Sequence, residues 1–340
     1  MAYSDGAGST VTPFDDAQAG ESVLASCESA TPHQYVLVTA AHNEEAFIEQ
    51  TIRAICGQEM RPRKWVIVDD GSTDSTARII GQYAQEHAFI HLLQLSKLHA
   101  PDFGAQIHAI NAGVEFLLKS GVEFDFIGNV DSDISFDESY FRKLMSKFEA
   151  DPTLGLAGGW LYEKDDPGFA PRKGNRTKSV PHGIQLFRRA CFQAIGGYIP
   201  LRYGAPDWCA EISARMNGWR VESFPDVQVF HHRPTGSVSG RVSYLYRAGL
   251  AAFALGSHPV FEIAKCAVSL HRRPYIAGAL SRLSGFAAGY WRREERQVSD
   301  ELVQFLRREQ ARTLLNGLLG PLGRARDGSR ATERKASFSQ

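Results

Sequence analysis

The chain is poor in cysteine and has no cysteine pair. Its five cysteines, Cys27, Cys56, Cys191, Cys209 and Cys266, are odd in number and scattered over 340 residues. With no C-x-x-C motif, a disulfide framework and a zinc ribbon are excluded, and a reducing compartment is implied. Net charge is also lacking: Lys plus Arg and Asp plus Glu both total 38. No global field therefore draws the chain to nucleic acid, and no nucleic-acid partner is expected. Nowhere does a run of about 18 apolar residues occur, and the N-terminus has no basic, apolar, small-residue leader pattern. The expectation is a cytoplasmic protein, neither exported by that route nor held by a spanning helix.

What is present, 43% hydrophobic and 22% charged residues, suffices for one large domain or two modest ones. Residues 1–32, rich in Ala, Ser, Gly and Asp, and the polar, basic residues 321–340 read as loose tails. Between 33 and 237 short apolar runs alternate with helix-like segments: "YVLV" 35–38, "KWVIV" 64–68, "IHLLQL" 90–95, "FDFIGNV" 124–130, "GLAGGWLY" 155–162 and "VQVF" 227–230. That alternation predicts an α/β fold with a mostly parallel sheet flanked by helices. From 238 to 320 the strands stop and Ala-rich, Arg-studded helical sequence takes over. In its last part Leu302, Phe305, Leu306, Leu314 and Leu318 fall on one face with arginines around the other. Such a face either packs on the sheet domain or rests on the inner face of a membrane as a peripheral contact.

Local signals place several helix starts. Asn43 is an N-cap candidate, with Glu44 and Glu45 in the first turn and Gly57 beyond the end. Ser and Thr of "GSTDSTARII" offer caps for a second helix. Ser135-Phe136-Asp137-Glu138 has capping-box spacing for a third.

Two strand ends carry the chemistry. Asp131 and Asp133 follow "FDFIGNV", where open α/β sheets place ligands. Two converging carboxylates repel unless a cation lies between them, and a hard divalent ion suits that role. The bland alternative is that they end the strand or cap a helix. In "WVIVDDGSTDST", Asp69 and Asp70 either form the turn or offer a carboxylate to a base imide. The exit of the first strand, "VTAAHNEE", lies beside them in a parallel sheet and brings His42.

The ordered segments "VTAAHNEEAFIEQTIRAICGQEMRPRKWVIVDDGSTDST", "DSD", "FRRACFQAIGGY" and "GAPDWCAEISARMNGWRV" resemble the motifs of family 2 glycosyltransferases with the GT-A fold, over about residues 35–235. "VFHHRPTGS" and the helical end resemble bacterial members that assemble surface polysaccharides or glycolipids. The resemblance implies an inverting transfer from a nucleotide-sugar donor to a hydroxyl of a glycan or lipid-linked acceptor. It assigns Ala40, His42, Glu44 and Asp70 to the nucleoside and Asp131 and Asp133 to diphosphate and metal, Mg²⁺ or Mn²⁺. Asp207 becomes the general base, and His231 a third metal ligand that shares a strand face with Val227 and Val229.

Asp207 is preceded by Pro206 and followed two positions on by Cys209, where the family often has acids; Glu211 is the substitute acid nearby. Otherwise Asp207 is an N-terminal cap for a helix ending at Gly218. "GGWLYEKDD" and "KGNRTKSVPHGIQLFRR" read as the acceptor side, with Trp160, Trp208 and Tyr203 as sugar platforms or core residues. Arg172, Lys173, Arg176 and Lys178 are a basic run for a lipid-linked diphosphate or a solvated loop. A nucleotidyltransferase, and a non-catalytic nucleotide-sugar-binding protein, are the alternative functions. The former would carry a Gly- and basic-rich phosphate loop, which "TAAHNEE" is not.

Overall fold

The computed structural model describes residues 33–96, 103–165, 167–233, 240–270 and 275–333. Of the tails expected at 1–32 and 321–340, residues 1–32 and 334–340 lie outside the described residues.

Two short runs build the centre of the sheet. β1 (Tyr35–Ala41) and β2 (Lys64–Asp70) are buried along almost their whole length, as strands covered on both faces must be. β3 (Ile90–Leu95) and β4 (Phe126–Asn129) extend them in parallel. The helices α1 (Ile48–Cys56), α2 (Thr76–Glu86) and α3 (Phe103–Lys119) make the crossovers. Beyond β4 come β5 (Ile134–Phe136), α4 (Tyr140–Ala150), β6 (Leu154–Asp165), β7 (Gly168–Pro171), β8 (Leu186–Arg188), α5 (Arg189–Ala194), α6 (Pro206–Met216) and β9 (Arg220–His231). The sheet order is β3-β2-β1-β4-β8-β6-β9-β5, with β7 on β6.

The α/β class is as expected, and the sheet is mixed. It is parallel through β3-β2-β1-β4, but β8 pairs antiparallel with both β4 and β6, and β5 antiparallel with β9. β5 and β8 have three residues each. They follow loops rather than crossover helices, which frees them to run antiparallel.

Two expected caps are corrected. Asn43 adopts a left-handed φ of 55°, and α1 begins only at Ile48; the Asn43 side chain accepts instead from the Thr73 backbone N–H at 2.8 Å. Ser135 lies inside β5 and α4 starts at Tyr140, so the apparent capping box is a strand. The Ser135 hydroxyl lies 2.8 Å from His232 Nε2.

After β9 the described chain is helical: α7 (Arg241–Ala254), α8 (Pro259–Ser269), α9 (Tyr275–Trp291) and α10 (Asp300–Glu333). α10 carries helical backbone past residue 320, where the helical region was expected to end. α7 and α9 cross with their backbones in contact, because a Cβ on Gly249 would collide with the Arg282 carbonyl and one on Gly285 with that of Tyr246. α10 buries Leu302 and Leu306 with Leu201, Cys209, Ile212 and Leu255, and Glu309 receives Arg215 of α6 in two hydrogen bonds of 2.8 and 3.2 Å. No helix among the described residues is long and apolar enough to cross a membrane.

Candidate active site

The C-terminal ends of β1, β2 and β4 open on one side of the sheet, as the parallel register requires. There the exits of β1 and β2 are stitched together. His42 Nδ1 donates to the Asp70 carbonyl at 2.8 Å, which assigns the proton to that nitrogen. The Asn43 N–H donates to Ser72 Oγ at 3.0 Å and the Glu44 N–H to Thr76 Oγ1 at 2.7 Å. Asp69 is buried and accepts from the Ser72 N–H at 3.2 Å. It is therefore the turn former of the acidic pair. Asp70, half-buried like Ala40, keeps its carboxylate at the mouth of the sheet.

Asp131 and Asp133 lie in a turn between β4 and β5 rather than on extended chain. The turn is pinned from below: buried Thr51 of α1 donates to the carbonyls of Ser132 and Ile134 at 2.9 and 2.8 Å, and Thr39 of β1 donates to Val130 O at 2.7 Å. The two carboxylates meet different partners. Asp131 Oδ1 lies 3.6 Å from Nδ1 of His182 and accepts from Gln106 Nε2 at 3.3 Å. Asp133 Oδ1 lies 3.3 Å from Nε2 of His231, and its Oδ2 lies 3.6 Å from Nε of Arg233. Arg233 also forms an ion pair with Glu44, so one guanidinium ties the β1 exit to the β4–β5 turn.

Charge in this group is mutually reinforcing. Burial opposes ionisation of Asp131, but the hydrogen bond and charge of His182, with His231 nearby, hold its carboxyl below the ordinary carboxylate value. Burial likewise works against the two imidazoliums, yet Asp131 raises His182, and Asp133 followed by Asp131 raises His231. Glu44 is pushed up by burial, with Arg233 offsetting part of the rise.

Asp207 comes from α6. It is the second residue of α6, after Ala205 with a left-handed φ of 66° and Pro206 at the first helical position. Ala205, not Asp207, is therefore the N-cap. Asp207 Oδ1 accepts from the Trp208 N–H at 2.9 Å, at the positive end of the helix. His182, in the 3₁₀ turn His182–Ile184, lies within electrostatic reach of both Asp131 and Asp207. One helical turn after Asp207, Glu211 is 3% exposed. It accepts from Ser179 Oγ at 2.9 Å and the Val180 N–H at 2.7 Å. Burial, and then the charge of Asp207, push its carboxyl up to about 8. Cys209 is a core residue whose thiol burial pushes up to about 11. The four cysteines among the described residues are all free thiols.

Residues 172–178 stay largely at the surface, with Arg172 3.4 Å from Glu163. Trp208 packs beside Ala252, Phe253 and Phe286. Sequence reasoning did not single out His182, Arg233 or Gln106. Their signals were faint: His182 sits in "VPHG" between a proline and a glycine, and Arg233 directly follows the two histidines.

The donor set suits a hard divalent cation, since it offers two carboxylates, one held firmly ionised, and an imidazole whose Nδ1 is buried without a hydrogen-bond partner. No three His, Cys, Asp or Glu side chains among the described residues converge closely enough to hold a cation by themselves. An ion here would complete its coordination with phosphate oxygens or water.

Comparison with known proteins gives one direction. The family model described as glycosyl transferase family 2 matches residues 36–205. Poly-beta-1,6-N-acetyl-D-glucosamine synthase of Staphylococcus aureus is 26% identical over 121 residues, 35% of this chain and 26% of that protein. The synthase of Staphylococcus epidermidis is 24% identical over 132 residues, 37% of this chain and 29% of its own. The matched stretch thus spans little more than a quarter of these relatives. Among solved structures, mannosyltransferase PcManGT from Pyrobaculum calidifontis, in complex with GDP-Man and Mn²⁺, superposes with a TM-score of 0.53 at 17% identity. The match covers 77% of this chain and 88% of that one. TarS residues 1–349 from S. aureus, in complex with UDP-GlcNAc, gives 0.51 at 16% identity, covering 80% and 79%. Both likenesses concern the fold, which is the GT-A architecture.

Proposed function

The chain belongs to glycosyl transferase family 2, and from that premise we propose that it moves a sugar from a nucleotide-sugar donor to a hydroxyl of a glycan or lipid-linked acceptor, with inversion. The observation that carries this reading is the arrangement around His182. His182 Nδ1 lies 3.6 Å from Asp131 and its imidazole feels the charge of Asp207, while Asp133 pairs with His231 and Arg233 ties that turn to the β1 exit.

In this reading Ala40, His42, Glu44 and Asp70 receive the nucleoside, with the His42 ring fixed by the Asp70 carbonyl at Nδ1 and by the Asn43 amide, 3.3 Å from Nε2. Asp131 and Asp133, with His231, would hold Mg²⁺ or Mn²⁺ at the diphosphate end of the donor. When bound, that ion would stabilise the negative charge that develops on the leaving diphosphate. Asp207 takes the proton of the acceptor hydroxyl as its oxygen bonds to the anomeric carbon from the face opposite the breaking bond to the diphosphate. General-base help of this kind is worth about 10²–10⁴-fold, or roughly 3–5 kcal/mol of barrier. Glu211, kept neutral by burial, holds residues 179 and 180 and so steadies the turn that carries His182. The free thiols support a reducing setting, and we place the reaction in the cytoplasm.

The two solved neighbours hold different nucleotide sugars, GDP-Man in one and UDP-GlcNAc in the other, so the donor must be found by experiment. Calorimetric titration of nucleoside diphosphates and nucleotide sugars, with and without Mn²⁺, tests the reading on wild type and Asp133→Ala. The expected result is metal-dependent binding of one nucleotide that the variant loses. Absence of binding by every nucleotide would overturn it.

A further inference from the structure

Most large apolar side chains left in water lie on the C-terminal helices. On α8, Val260, Ile263 and Val268 are 55%, 58% and 69% exposed; on α9, Ile276, Leu280 and Trp291 are 63%, 61% and 86% exposed. The spacing puts them on outward faces, because the opposite faces are occupied. α9 turns Gly278, Ala279, Gly285, Phe286 and Gly289 inward, and α8 turns Glu262 and Cys266 inward. Neither outward face carries a charged residue. Arg282, the charged residue of α9, donates to buried Glu262 at 2.9 Å, and Lys265 is directed over the Trp208 ring at 5.5 Å.

Charge gathers instead just past the end of α9, where Arg292, Arg293 and Arg296 follow it, all exposed. Residues 259–297 hold seven Lys and Arg against three Glu, in a chain whose net charge is zero. An uncharged, aromatic-ended face with a cationic rim is the pattern of a helix lying in a membrane interface. Six large apolar side chains left more than half exposed on two neighbouring helices also mark an interaction surface. A second copy of the chain fits less well, since a self-complementary contact would bring two rims of the same sign together.

We propose that the outward faces of α8 and α9 dock the protein on an anionic lipid surface. This differs from the surface that helical periodicity suggests, because the apolar stripe of α10 spends Leu302 and Leu306 on the protein core. The docking does not depend on the transfer reaction. If that reaction is as proposed, the docking explains why the acceptor side adjoins these helices: Trp208, next to Asp207, packs against them.

The test is co-sedimentation of the full chain with vesicles of phosphatidylcholine alone or mixed with phosphatidylglycerol. Wild type and the double variant Ile276→Glu/Trp291→Glu are compared, with thermal unfolding confirming that both are folded. The expected result is pelleting with the anionic vesicles that declines with salt, and binding at least about tenfold weaker in the variant. Three results would each overturn the proposal. These are no pelleting with anionic vesicles, pelleting unchanged in the folded variant, and a lipid-free dimer in light scattering that the variant dissociates without any vesicle binding by wild type.

Discussion

The carboxylate of Asp131 occupies the space that a Cβ on Gly183 would fill, and the Asp131 N–H donates to the Gly183 carbonyl at 3.0 Å. The aspartate turn after β4 and the 3₁₀ turn before β8 are thereby fitted to one another at a residue with no side chain. Gly183→Ala should push the carboxylate out of place. Metal-dependent nucleotide binding is expected to weaken about 10–100-fold, at a stability cost of about 1–3 kcal/mol. Calorimetry and urea unfolding measure the two. Binding equal to wild type would show that the position of Asp131 does not matter to the ligand.

Asp133 has the imidazole of His231 on one oxygen and Arg233 on the other. Asp133→Asn keeps the shape and removes the charge. The expected loss in kcat is about 10²-fold or more, equivalent to roughly 3 kcal/mol of transition-state stabilisation. A metal-titrated initial-rate assay reads it, and a variant of wild-type activity would exclude Asp133 from metal-assisted chemistry.

Asp207 stands apart from the donor groups on α6. Asp207→Asn should reduce transfer about 10²–10⁴-fold and leave the nucleotide affinity unchanged, because the proton it accepts belongs to the acceptor. Loss of donor binding in this variant would argue for a structural role at the start of α6.

Glu211 links pH to stability with a definite sign. Its folded carboxyl is pushed up to about 8 from an ordinary value of 4.5. Between those values the folded protein holds a proton that the unfolded chain has released. Stability should therefore fall as pH rises through this window, by at most about 1.4 kcal/mol per pH unit from this group. Glu211→Gln retains an oxygen for Ser179 and Val180 and has no proton to lose, so its unfolding free energy should vary less across the window. A pH series of urea denaturation curves decides, and equal slopes in the two proteins would contradict a neutral buried Glu211.

Much of the candidate site around the β1 and β2 exits was legible in the sequence. β1, β2 and β3 are contiguous apolar runs ending in acidic or polar residues, and a parallel sheet turns such endings into one mouth. His231 could be placed on the face of Val227 and Val229 because strand alternation is a local rule, and it does face Asp133. Ser135 misled because a capping-box spacing says nothing of a pairing partner. Here β9 supplies that partner, and a three-residue strand forms instead.

The amino-acid sequence by itself determined the family, the strands of the parallel half and the order of the motifs, since all of these rest on residues adjacent in the chain. Only the tertiary structure decided that His182 lies within electrostatic reach of both Asp131 and Asp207, that Arg233 joins Glu44 to Asp133, and which apolar helix faces remain in water. Those relations join residues tens to nearly two hundred positions apart. Periodicity reveals that a helix has an apolar face, whereas burial depends on which neighbour reaches it: α6 and its surroundings cover α10, and no described residues cover the outer faces of α8 and α9.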